Sequence, residues 1–443
     1  MRHASRLLFG LLLVGLASVV ADRALYAIGP DQAAQTQAPS FRSGTTLVQV
    51  DVIVRGRGRH FVTDLRKADF QVLEDGVPQR IDQFYLVADQ EMDAEFPWTQ
   101  DSPKDGAKAE PVPVSSPEQR VFVLAFDQPH LAFGNGRRAR EAALTFLRGQ
   151  LRPGDLAGVV VGNRMTNRRL TSDRSELVSA VNGVEMNPDA MALYSEYFRE
   201  WPRFRDLAEL WDVWRGDASI KQGVVARALS EGGLASSQDL GKAADVVTTT
   251  GDNEAREATD QRVSAKAQRG VDEFRRATNE TITMLSTLTR GLARMPGRKT
   301  VILLSDGFVV EEAWAPLRDV EAAAARADVR IYAIDTRGLN NETLDGDIVT
   351  KTQPEAIGTM RSPDIAYDGL AELTTATGGY AVMRRNDMAD VLSDIDRDTS
   401  SYYVIGYRPT QSTADGKFRK IEVKVARKGV EVRARKGYVA GYQ

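Results

Sequence analysis

Val121-Phe122-Val123-Leu124-Ala125-Phe126 runs without a polar residue. A strand with one wet face alternates apolar and polar side chains, so an unbroken run predicts a strand buried on both faces. Such a strand needs a cover on each side, and the following sequence supplies one. Ala139, Ala142, Ala143, Phe146 and Leu147 recur at helical spacing. Leu156–Val161, Val301–Leu304 and Ile331–Ile334 repeat the strand pattern, with an alanine-rich helix over 317–327 between the last two. A short Tyr380–Val382 strand and a closing helix over Met388–Asp398 complete the series. Strands alternating with helices predict an α/β domain over 119–399, a doubly wound and mostly parallel sheet of Rossmann-like type.

The flanks follow a different period. Leu47–Val54 alternates, Phe70–Leu73 and Ile81–Tyr85 are short strand candidates, and Glu74-Asp75-Gly76 between them is a hairpin signal. Residues 41–90 therefore form an N-terminal β unit, and 91–118, rich in Pro, Ser, Asp and Lys, form a linker. Tyr402–Tyr407, Lys420–Val425 and Val430–Arg435 make a C-terminal β segment over 400–443. Each flank alone has too few strands to bury a face, so the two are expected to combine into an accessory β-sandwich. The basic tail residues Arg427, Lys428, Arg433, Arg435 and Lys436 are expected on its solvated face. About 185–270 interrupts the α/β pattern. It reads as a helical, aromatic-bearing insertion whose polar part, 239–270, is weakly ordered and leads into a helix at 271–293.

A basic head (Arg2, His3, Arg6) precedes an apolar stretch over Leu7–Ala21, the pattern of a secretory signal with cleavage after Ala21 or Ala27. The expectation is an exported protein, periplasmic, envelope-associated or secreted, with a leader over 1–27 and no stable membrane span after its removal. With 58 Lys and Arg against 61 Asp and Glu there is no basic field for nucleic acid. The absence of cysteine excludes disulfides, thiol catalysis and zinc–thiolate sites, and three histidines exclude a histidine-rich metal centre.

Function in a parallel sheet gathers at the carboxyl ends of the strands. Three of these ends carry aspartate: Asp127, Asp306 and Asp335. Carboxylates converging on one edge cap helices, stay solvated or share a hard cation. Gly134-Asn135-Gly136 reads as a plain turn rather than an anion site, and 291–300 places its glycines after a helix, the reverse of a phosphate loop.

The run Val301-Ile302-Leu303-Leu304-Ser305-Asp306-Gly307, preceded by Pro296-Gly297-Arg298-Lys299-Thr300, resembles the strand that carries the last metal-contacting aspartate of von Willebrand factor A domains. Val121–Asp127 resembles their first strand and Arg330–Asp335 the following one. With Ala68–Gln79, Tyr402–Tyr407, Gly416–Ile421 and Arg435–Tyr438, the chain is similar to the exported VWFA-related proteins of acidobacteria over most of 41–443, outside the insertion. The resemblance implies a metal-ion-dependent adhesion site of the form Asp-x-Ser-x-Ser with a distant Thr and a later Asp. Here the first motif reads Asp127-Gln128-Pro129-His130-Leu131, so Pro129 and Leu131 replace both serines. Asp306 stands at the later position, and the Thr is unplaced, with Thr248–Thr250 and Thr278 as candidates. Mg²⁺ prefers six oxygen ligands, so Asp127 and Asp306 would hold it weakly or not at all. Gln128, His130 and Asp335 then remain as ligand-facing candidates, and no catalytic residue is assigned. The expected function is binding or scaffolding of a protein ligand through a degenerate adhesion site. The alternatives are an envelope hydrolase at the Asp127/Asp306 edge, for which no Gly-x-Ser-x-Gly elbow is present, and a purely structural envelope component.

Overall fold

The computed structural model describes residues 47–88, 114–115, 119–185, 196–231, 250–337, 365–410 and 415–440, apart from positions 132, 296, 312, 384 and 386. The expected N-terminal leader, residues 338–364 and the candidate threonines Thr248 and Thr249 lie outside the described residues.

The apolar runs form the sheet they predict. Its strands are β6 (Val121–Phe126), β7 (Leu156–Val161), β8 (Arg164–Met165), β9 (Lys299–Ser305), β10 (Val329–Asp335) and β11 (Ala381–Val382), in the order β8-β7-β6-β9-β10-β11. All neighbours are parallel except the edge strand β8, which turns back on β7. Alternate residues of each strand enter different cores. Phe122, Leu124, Phe126, Ile302, Leu304, Tyr332 and Ile334 pack with α1 (Phe133–Gly149), α2 (Arg174–Asn182) and a C-terminal helix over Met388–Ser400. Val123, Ala125, Val301, Leu303, Ile331 and Ala333 pack on the other face. From β6 the strand order proceeds outward to β7 and β8 on one side and to β9, β10 and β11 on the other, which makes the carboxyl ends of β6 and β9 the topological switch point of the sheet.

The insertion is built from α3 (Leu207–Arg215), α4 (Ala218–Glu231) and the first half of α5 (Thr250–Leu292). Helix α5 has 43 residues and at about 1.5 Å per residue extends about 65 Å. Its C-terminal part covers the sheet through Ile282, Leu285 and Leu288, while Val263, Ala267, Val271 and Phe274 before it close a separate aromatic core with Tyr197, Phe204 and Trp211. This corrects the expectation of a weakly ordered stretch up to 270: the helix begins at Thr250 and crosses the insertion boundary unbroken. Thr259 and Lys266 interrupt the buried stripe that Val263, Ala267 and Val271 make in its first half, which dilutes the apolar signature. α6 (Trp314–Arg326) and α7 (Ile365–Ala376) complete that face, and the helix at Met388–Ser400 is α8.

The two flanks build two facing sheets. One has the order β14-β1-β12-β4-β5, from Glu431–Arg433, Val48–Arg55, Tyr402–Tyr407, Ile81–Val87 and Val114–Ser115. The other runs β15-β13-β2-β3, from Gly437–Val439, Phe418–Val425, Phe70–Glu74 and Val77–Gln79. Strand β12 lies between β1 and β4, so the C-terminal segment is the middle of the N-terminal sheet. Val50, Val52, Leu65, Val72, Tyr403, Ile405 and Ile421 form their common core. The Asp75-Gly76 turn, both residues at positive φ, joins β2 to the short β3 rather than to β4, which crosses to the other sheet. The stretch expected to be all linker contributes β5, paired in parallel with β4.

The tail arginines are a second correction. Arg433 Nη1 lies 2.8 Å from Asp398 Oδ2, and Arg435 Nη1 donates to the Ala325 carbonyl at 2.9 Å, so both bind the α/β domain instead of facing solvent. Arg55 also pairs with Asp398, and Tyr332 reaches the same carboxylate. Asp398 is buried, so this network holds the sandwich to the α/β domain through desolvated charges.

Candidate functional site

Asp127 follows β6 and opens a single 3₁₀ turn over Gln128–His130. Its carboxylate is fully buried, a costly position for a charge unless protein donors replace water. They do. Ser305 Oγ, from the end of the neighbouring strand β9, donates to Oδ2 at 2.6 Å. Thr281 Oγ1, from the C-terminal half of α5, donates to Oδ1 at 2.5 Å. His130 Nδ1 lies 3.1 Å from Oδ2 and 3.1 Å from Thr281 Oγ1. With the Asp127 carboxylate oxygen as acceptor, His130 is assigned the tautomer protonated on Nδ1. His130 Nε2 is buried without a partner among the described residues, and the ring packs beside Phe308 at 5.8 Å between centroids.

Asp306, one residue beyond β9, has a separate set of partners. Asn135 Nδ2 of α1 donates to Oδ2 at 2.8 Å, and Thr336 Oγ1, after β10, donates to Oδ1. Asp335 is buried and held by Arg337, with Nε and Nη2 each at 2.9 Å and the backbone N–H at 3.0 Å. Gln128 is half-buried and donates to the Glu185 carbonyl at 3.0 Å. His130 and Asp335 both lie beneath the surface: His130 turns Nδ1 to Asp127, and Asp335 pairs with the half-buried Arg337.

The edge is closed from above as well. Gly307 has φ +94°, and a Cβ there would stand 2.6 Å from the Ala366 carbonyl oxygen, so the loop after β9 lies directly on the start of α7. The Phe308 N–H donates to that same carbonyl at 3.0 Å.

The donor set does not fit an octahedral Mg²⁺. Both oxygens of Asp127 already accept short bonds from protein hydroxyls, and Asp306 turns to Asn135 and Thr336. The candidate threonine Thr278 makes only a long contact, 3.5 Å, to the Val309 carbonyl. The residue that reaches Asp127 is Thr281, one turn further along α5, and the sequence gives no sign of it. Asn135 likewise sits in the first turn of α1 where a plain turn was expected.

The fold and this edge define a doubly wound α/β protein, consistent with a von Willebrand A-like domain, carrying an accessory two-sheet unit. No protein-family model and no curated protein matches the chain. Among solved structures, an aerotolerance-related membrane protein from Bacteroides fragilis NCTC 9343, carrying multiple mutations to serines, aligns over 64% of this chain and 98% of its own at 9% identity and a TM-score of 0.31. Among the described residues, no helix is long and apolar enough to cross a membrane.

Proposed function

We propose that the chain is an exported, non-enzymatic binding or scaffolding protein of the cell envelope. Its von Willebrand A-like domain carries a degenerate adhesion site and engages a protein ligand without a metal. The observation that carries this reading is the enclosure of Asp127 by Ser305, Thr281 and His130. An adhesion aspartate needs an open coordination sphere, and here protein donors occupy the carboxylate. The same geometry argues against the hydrolase alternative: Ser305 spends its hydroxyl proton on Asp127, and Ser305, His130 and Asp127 are all buried from a substrate.

The test is capture from envelope extract on the immobilised full chain, with and without EDTA. The reading expects the same partner in both arms. Loss of the partner in EDTA would restore a metal-dependent site, and turnover of generic ester, peptide or phosphate substrates by the purified chain would restore the enzyme.

A further inference from the structure

At the joint between the two-sheet unit and the amino-terminal ends of the parallel strands lies a small polar cavity of about 20 Å³, distant in the fold from the Asp127 edge. Gln49 and Asp51 of β1 and Arg435 line it from the sandwich side; Arg298, Asp328 and Arg330 line it from the α/β side. A space of this size admits one water or one small ion.

Its lining carries three guanidiniums against two carboxylates. Arg298 and Arg330 share Asp51, with Arg330 Nη2 at 3.7 Å from Oδ2 and Arg298 Nη2 in direct contact with the same oxygen. Asp51 is thus already neutralised. Asp328, the other acid, is pushed toward its protonated form by desolvation first and by Asp51 second, which weakens it as a counter-charge. Arg330 remains firmly cationic.

The donors are also unspent. Arg298 Nε and Nη1 and Arg435 Nε are buried and find no acceptor among the described residues. The Arg298 guanidinium carbon lies over the Tyr402 ring, 3.3 Å from its centroid, a contact that holds the group in place without using its N–H donors. Arg435 is anchored through its other nitrogens to the carbonyls of Ala325 and Gln49. Buried guanidinium N–H groups without acceptors are costly, and a group that only accepts answers both the surplus charge and the surplus donors.

We propose that this cavity binds a small monovalent inorganic anion of the halide class, held by Arg298 and Arg435 at the joint between the sandwich and the α/β domain. The anion clamps the two parts together, so its loss loosens the joint and leaves the Asp127 edge in place.

The experiment is a crystal of the full chain grown with bromide in place of chloride, measured at the bromine absorption edge, with thermal unfolding of the same protein in chloride, bromide and gluconate at equal ionic strength. The inference predicts an anomalous peak within the cavity, against Arg298 and Arg435. It also predicts a saturable rise of about 1–3 °C in halide over gluconate, reduced in Arg435→Gln, which keeps the Asp51 pairs intact. A water at that position with no bromine signal, together with equal melting in halide and gluconate, overturns it.

Discussion

Thr281 of helix α5 donates its hydroxyl to Asp127 at 2.5 Å, joining residues 154 positions apart in the chain. The contact ties the long helix, and with it the insertion, to the switch point of the sheet. It also turns an aspartate that resembles a metal ligand into an internal acceptor.

The stability consequence is direct. A solvent-facing ligand cluster gains stability when one repelling carboxylate is removed, whereas an internal acceptor leaves buried donors stranded. Asp127→Ala is expected to cost about 2–4 kcal/mol in urea unfolding, and Thr281→Val about 1.5–3 kcal/mol. Thr278→Val, which loses only a long contact, should cost less than about 1 kcal/mol. A neutral or stabilising Asp127→Ala contradicts the assignment.

Tyr403 tests the shared core of the flanking segments. Its ring packs between Phe61, Phe70 and Phe84, while its hydroxyl donates to the Val62 carbonyl at 2.8 Å and accepts from the Leu65 N–H at 3.0 Å. Tyr403→Phe should cost about 1–2 kcal/mol, and hydrogen exchange should quicken in β1 and β4 together. Faster exchange confined to β12 would mean that the segments do not share a core.

Asp398 should be the costliest single charge to remove at the joint. Arg55 and Arg433 both end on it, so Asp398→Ala strips the buried Arg55 and the half-buried Arg433 of their shortest ion pairs, leaving Asp394 at 3.5 Å from Arg55 and the exposed Glu431 at 3.3 Å from Arg433. A loss of about 3–5 kcal/mol is expected, measured by thermal or chemical unfolding. A cost under about 1 kcal/mol would place the pairs in solvent.

Glu321 gives the fold a pH dependence. Burial, then the neighbouring Glu372, pushes its carboxyl up to about 7 from an ordinary 4.5. The folded chain thus holds a proton that the unfolded chain releases. The stability tied to that proton is complete below about pH 4.5 and is lost as pH rises through about 7. Glu321→Gln should flatten the melting profile over this window and raise stability at pH 8. An unchanged profile would show that the carboxyl ionises normally.

How far the sequence reaches is clear from particular residues. Val121–Phe126 announces a strand buried on both faces because nothing polar interrupts it, and Asp127 and Asp306 are legible as strand-end carboxylates because they follow such runs. Partners are not legible. Thr281 and Asn135 carry no local signal, since their role depends on which helix the fold lays over which strand end. Gly270 misleads in a different way. It ends the polar stretch 239–270 expected to be weakly ordered, yet it sits inside α5, where the absence of a Cβ leaves room for the Tyr197 ring, which a Cβ would approach to 2.8 Å. The tail arginines alternate like a wet strand face, and only the three-dimensional position of Asp398 shows that this face is covered.

Calorimetric titration of Mg²⁺ into the full chain tests the central claim most directly. With both oxygens of Asp127 committed to Ser305, Thr281 and His130, any residual site is millimolar or weaker. At about 1 mM Mg²⁺ a millimolar site adds only about 0.4 kcal/mol. The account predicts no saturable heat at micromolar metal and no more than a marginal thermal shift. A micromolar affinity that disappears in Asp127→Ala would contradict it and would make Asp127 a metal ligand after all.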